Sequence, residues 1–177
     1  MRDFLASIRQ SLETNNFYVA LATSLTIPDI CGWLSSPNLR SGERYRAWCE
    51  TYLTPKYTHD LPNGREVFLS PGDAYALRCA YLHEGADDVS RQRAREALNR
   101  FAFVARGAHC NLFEINGEAI LNLNVPLFCT DMVESAEQWL EDVRDNQAVQ
   151  ERLREFLKIR SEEFELAPGV FMDFRPD

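Results

Sequence analysis

Residues 70–85, SPGDAYALRCAYLHEG, decide how this chain reads. Ser70 offers a side-chain oxygen to the free N–H groups of a first turn. Pro71 brings a fixed φ suited to the first helical position, and Asp73 suits the positive end of the helix dipole. Gly85 is a natural left-handed stop. The segment predicts a well-bounded helix carrying Arg78 and His83 in an R-x-x-x-x-H pattern.

Upstream, helical spacing dominates. Phe4, Leu5, Ile8, Leu12, Phe17, Val19, Leu21 and Leu25 follow a 3.6-residue period, and Asn15–Asn16 divides them into two helices. Pro28 opens a short helix that carries Asp29, read as a dipole partner, and stops near Ser35–Pro37. Ser41 is placed as the cap of SGERYRAWCETYL, with Tyr45, Trp48, Cys49, Tyr52 and Leu53 on one face. Residues 54–69 read as a loop, with turn signals at Pro55 and Pro62–Gly64.

Downstream, a helix is expected from about Ser90 to Arg100, and then the period changes. Phe101–Ala105, Asn111–Ile115 and Ala119–Val125 read as short strands, the last two joined by the Asn116–Gly117 hairpin signal. Helices follow, one capped at Thr130 or Asp131 and one near 147–160. A tail beginning at Pro168–Gly169 ends in GVFMDF, an edge-strand candidate. The expected fold is mainly α. It is one domain over residues 1–177, a bundle of about five to seven helices with its helical core at 3–100 and 131–160. A small antiparallel β element occupies 101–130, and 161–177 is the C-terminal tail.

The chain has 177 residues and a net charge of −8. Residues 1–110 carry 13 basic and 12 acidic side chains, a balance of +1, whereas 111–177 carry 6 and 15, a balance of −9. The total argues against a non-specific nucleic-acid coat, but the even balance of the first 110 residues permits a local phosphate site. No run of about 18 apolar residues is seen, so no membrane span is expected. The N-terminus lacks a signal-peptide core, which points to the cytoplasm. Five scattered cysteines without a C-x-x-C pair indicate neither a zinc ribbon nor a disulfide framework. No metal and no cofactor are expected, because no ligand set has suitable spacing.

Arg78 and His83 are the catalytic candidates. A histidine can move a proton at neutral pH, and an arginine can clamp a phosphate through two parallel bonds. Together they suit metal-independent RNA cleavage by attack of the 2′-hydroxyl. The bland reading pairs Arg78 with Asp73, Glu84 or a neighbouring helix and sets His83 against the carbonyls at the helix end. Secondary substrate-binding candidates are Tyr81, Arg44, Arg91 and Arg95. Tyr81 would stack on a base, and the others would touch phosphate or guide RNA to the pair, although a solvated Arg-rich face is the plainer meaning of residues 91–100.

LRCAYLHEG resembles the motif helix of HEPN proteins, whose signature is R-x4–6-H late in a bundle helix. IPDICGWL, GERYRAWCETY, LSPGDAYALRCAYLHEG and LNLNVPLFCTDMVESAEQW also look similar to bacterial HEPN-like sequences, so the likeness covers about residues 25–140. The resemblance implies a homodimer whose interface cleft holds Arg78 and His83. It also implies an RNA substrate and endoribonuclease activity of the toxin–antitoxin or phage-defence kind, with a protein partner such as an antitoxin. One departure stands out. Active members often carry Asn, Asp or His directly after the Arg, where this chain has Cys79, a weak hydrogen-bonding group. The alternative is a catalytically inactive HEPN-like module that binds a protein or a nucleotide. A third reading is a helical regulatory domain in which the motif is coincidental.

Overall fold

A computed structural model describes residues 1–62, 64–160 and 163–172. The helices up to the motif are α1 (Arg2–Glu13), α2 (Phe17–Ser24), α3 (Ile27–Ser35) and α4 (Ser41–Trp48). A π-helical turn (Cys49–Leu53) and a 3-10 turn (Thr54–Tyr57) follow, then strands β1 (Thr58–Leu61) and β2 (Gly64–Val67). The motif helix is α5 (Pro71–Glu84). Beyond it come β3 (Arg100–Val104), β4 (Asn111–Ile115), β5 (Glu118–Asn124), α6 (Val125–Asp142), α7 (Gln147–Arg154), β6 (Phe164–Ala167) and β7 (Val170–Met172).

The expectation of a mainly α bundle with one β insertion is wrong. The chain is mixed α/β, 51% helical and 20% strand, with three small sheets among the described residues. Within residues 54–69, read as a loop, Thr58–Leu61 and Gly64–Val67 pair as an antiparallel hairpin, and Asn63 of the expected turn signal lies outside the described residues. Most of both strands is exposed, so no alternation of apolar residues marks them. The central sheet runs β3-β5-β4 and is not purely antiparallel, since β3 pairs parallel to β5. The tail holds a further hairpin, β6–β7, turning at Pro168–Gly169. Residues 173–174 of the expected GVFMDF strand lie outside the described residues.

The helix expected at 90–100 is also absent. Its backbone N–H groups are taken by other partners. Asp73, 1% exposed, accepts from the N–H groups of Glu96, Ala97 and Leu98, and Asp88 accepts from that of Ser90. Val89 donates instead to the carbonyl of Asn99. A helix over 90–100 needs the donors of residues 96–98 for its own i−4 carbonyls. The helix placed after Thr130 starts earlier, at Val125, where the Asn124 side chain accepts from the N–H of Leu127. The helix drawn to 160 ends at Arg154.

The motif helix forms as expected. Ser70 Oγ accepts from the N–H of Asp73 at 3.1 Å, and Gly85 takes φ +64° past the last turn. The N–H groups of Gly85 and Ala86 then return to the Tyr81 and Ala80 carbonyls. Asn15, at φ +57°, breaks α1 from α2 as expected. One core joins the layers. α6 lies at its centre, burying Phe128, Met132, Val133, Ala136 and Trp139 against α1, α2, α3 and the π turn. β5 buries Leu121 and Leu123, and β3 buries Phe101. The stretch Phe17–Ser35 is long and apolar enough to cross a bilayer by composition, and half of it is buried inside the protein.

Candidate functional site

α5 lies against α4, and α4 lies against α3, so the first turns of α3 and α4 face the exposed flank of α5. Four side chains are linked there. Asp29 of α3 accepts from Arg78 Nε at 2.7 Å through Oδ2, and from the Ser41 hydroxyl at 3.0 Å through Oδ1. Arg78 Nη1 lies 2.9 Å from His83 Nε2. The sequence spacing puts these residues on different flanks of one helix, and the length of the arginine closes the gap.

The pairing sets the protonation of the ring. A guanidinium only donates, so Nε2 of His83 accepts, and the neutral imidazole carries its proton on Nδ1. Arg78 is partly buried and His83 is exposed. Burial disfavours the charge on Arg78, but Asp29 outweighs it, and the pKa lies above that of a free arginine. The carboxylate therefore does two jobs, holding the charge and fixing the direction of the fork. Tyr75 packs over the first turn of α4, its ring 5.2 Å from that of Tyr45. A Cβ on Gly42 would meet that ring at 3.2 Å, so glycine there lets α4 approach. Burial, and then the neighbouring Cys79, raise the Tyr75 hydroxyl above its ordinary pKa.

Part of the bland reading holds. Arg78 does pair with a neighbouring helix, through Asp29, but His83 meets Arg78 rather than a helix-end carbonyl. By sequence, Asp29 reads as a dipole partner and Ser41 as a cap. Ser41 instead lies within the first turn and spends its hydroxyl on Asp29, while Arg40 is the cap residue, its N–H donating to Glu43. No spacing rule links positions 29, 41 and 78, so only the packing of three helices reveals the set.

The secondary candidates are spread out. Tyr81 lies edge-on to Phe103 and lines an apolar pocket with Phe17, Tyr18 and Leu21. Arg44 lines a separate cleft beside Gly32 and Trp48. Arg91 is exposed on the loop after α5, and Arg95 Nε donates to the Ser90 carbonyl at 3.0 Å. Gln92 donates to Glu84 at 2.9 Å, which ties this loop to the end of α5 next to His83. The structure therefore unites Arg78 and His83 and leaves Tyr81, Arg44 and Arg95 apart from them.

A second polar cluster joins the loop before β4 to α6. The Tyr57 hydroxyl donates to Asp131 at 3.0 Å and lies 3.3 Å from His109 Nε2, while Lys56 reaches Asp131 and Glu134. The N–H of Asn124 donates to His109 Nδ1 at 3.1 Å, so the neutral ring carries its proton on Nε2, facing Tyr57 and Asp131. Burial pushes the Asp131 carboxyl up, but His109, Tyr57 and Lys56 together bring it below its ordinary value. Among the described residues, no group of three or more His, Cys, Asp or Glu side chains is arranged to hold a metal ion. No family model, curated protein or solved structure matches this chain.

Proposed function

We propose that this protein is a metal-independent endoribonuclease that works as a homodimer, with Arg78 and His83 at its active site. The observation that carries the reading is the Arg78–His83 contact at 2.9 Å on the open end of α5, with Arg78 braced from behind by Asp29. The likeness of LRCAYLHEG to the HEPN motif helix supports it.

The chemistry follows from the bonds. In the resting site, Arg78 Nη1 occupies the Nε2 lone pair that a general base needs. A scissile phosphate competes for that same N–H, because a charge-assisted bond to phosphate is stronger than one to a neutral ring. Binding therefore frees Nε2 as it clamps the substrate. Nε2 then takes the proton of the 2′-hydroxyl, the 2′-oxygen bonds to phosphorus, and the 5′-oxygen leaves with a proton. Arg78 offsets the charge that builds on the phosphate. In a two-fold pair, His83 of the second copy enters as the imidazolium and gives the leaving oxygen its proton, so the two rings exchange protonation states and reset through solvent. The products are a 2′,3′-cyclic phosphate and a 5′-hydroxyl.

The test is cleavage of structured and unstructured RNA by purified protein in EDTA, with the new ends identified. Activity should fall by about 10²- to 10⁴-fold in His83→Ala and in Arg78→Ala. Cleavage that survives both substitutions would overturn the reading. RNA binding without cleavage would favour the inactive module.

A further inference from the structure

The cleft that holds Arg44 lies between α3, α4, the π turn and α6, away from Arg78 and His83. Its cavity is about 200 Å³, with walls that include Arg44, Trp48, Thr51, Tyr52 and Trp139. Arg44 and Trp48 are four residues apart and so share one face of α4. Two of their donors are unused. Arg44 Nε and Trp48 Nε1 are both buried and have no hydrogen-bond partner, and Trp48 is only 4% exposed. Buried donors are nearly always paired, so two orphans on side chains that line one cleft point to an acceptor they reach when those side chains shift. By contrast, the indole N–H of Trp139 is paired with Ser35 at 2.9 Å.

A second observation falls in the same place. The π turn begins directly after Trp48, and its wider winding sets Thr51 and Tyr52 on the cavity wall. Such turns are rare and concentrate at functional sites. Charge narrows the choice of ligand, since among the described residues Arg44 is the one charged side chain lining the cleft. Asp142 reaches the Tyr52 hydroxyl but is not part of the lining. A cation beside a second unused donor selects an oxyanion, and the rings of Trp48, Tyr52 and Trp139 select a flat apolar body beside it.

We propose that this cleft binds a small aromatic oxyanion, a carboxylate or a phosphate monoester, through Arg44 Nε and Trp48 Nε1. Both nitrogens are screened from solvent, so entry requires the Arg44 guanidinium and the Trp48 ring to shift. Arg44 Nη1 donates to the Leu39 carbonyl at 3.2 Å. The site is independent of the nuclease reading, and His83→Ala should bind the same ligand equally well.

The test titrates the full chain with benzoate and with phenyl phosphate, using benzamide as the neutral counterpart, by calorimetry and tryptophan fluorescence. At least one anion should bind saturably and raise the Tm. Affinity should fall about tenfold in Trp48→Phe, which keeps the ring and removes the donor, and at least as much in Arg44→Gln. Binding of benzoate alone assigns a carboxylate site, phenyl phosphate alone a phosphate site, and both an oxyanion site of either kind. Benzamide binding as tightly as the anions would overturn the proposal. So would unchanged affinity in folded Trp48→Phe, or no saturable signal from either anion at millimolar concentration.

Discussion

Arg78 Nη1 donates to His83 Nε2 across 2.9 Å while Nε of the same guanidinium holds Asp29 at 2.7 Å. One planar group thus joins α3 to the last turn of α5. Lysine cannot reproduce this, because an ammonium is a single point of charge and lacks the two-sided fork. Arg78→Lys should keep the fold and the positive charge yet lose about tenfold or more in RNA cleavage. NMR of the ring nitrogens should show the His83 proton leaving its preference for Nδ1. Activity at the wild-type level in Arg78→Lys would mean that charge alone suffices.

Asp29 is the brace behind that geometry. Its carboxylate and the Arg78 side chain are 16% and 20% exposed, so water screens the pair only in part. Asp29→Asn should destabilise the fold by about 1–2 kcal/mol in urea unfolding, below the cost of breaking a fully buried pair. The same change should lower kcat more than it raises KM, since Arg78 stays charged but loses its direction. A double-mutant cycle with Arg78→Ala would isolate the coupling. Additive effects would show that the two residues act separately.

The motif helix was fully legible, because Ser70, Pro71, Asp73 and Gly85 act on their own backbone neighbours and need no tertiary partner. The break at Asn15 and the turn at Asn116–Gly117 were legible for the same local reason, since both asparagines sit at positive φ. What failed was set at long range. Asp73 reads as a first-turn acid, and its second role, holding three N–H groups some 23 to 25 residues away, leaves no trace in the spacing. The parallel pairing of β3 with β5 is equally silent, because a strand's pattern shows its buried face but not its neighbour's direction. Arg78 and His83 were found from their motif, whereas Asp29 and Ser41 belong to the site only because α3, α4 and α5 meet there.

The Asp73 carboxylate is predicted to be the strongest single anchor of residues 94–98. Removing it in Asp73→Ala leaves the N–H groups of Glu96, Ala97 and Leu98 without their acceptor, in a setting that is buried at Leu98 and part-buried at the other two. The expected cost is about 3 kcal/mol, measured by denaturant titration. Hydrogen exchange of these three amides should rise with it. A loss below about 1 kcal/mol would show that water replaces the carboxylate.

Gly72 supports the same junction from the helix side. A Cβ there would lie 2.5 Å from the Ala94 carbonyl oxygen and would also strike Glu96. A backbone oxygen cannot swing aside as a side chain can, so Gly72→Ala should cost about 1–3 kcal/mol through overpacking. Alanine would otherwise favour a helix. A neutral or stabilising result would mean that the loop yields freely.

Asp131 gives the pH dependence a definite sign. Burial raises its pKa, but the bonds from His109, Tyr57 and Lys56 lower it further, so the folded value lies below the ordinary 3.8. A depressed carboxyl contributes stability that is fully present above its unfolded pKa and is lost as pH falls through the folded one. Lys56 has the opposite sense. Burial lowers its pKa, Glu134 and Asp131 more than restore it, and the net raise gives stability that holds below 10.5 and is lost above. Asp131→Asn should therefore be less stable than the parent at pH 7, by about 1 kcal/mol for a pair this exposed. The gap should close as pH is taken below about 3.8, where the parent also loses its charge. Urea titrations of both proteins at pH 7, 5, 4 and 3 would check this. A gap that stays constant across the series would show that shape and hydrogen bonding, rather than the charge of Asp131, hold the loop before β4 to α6.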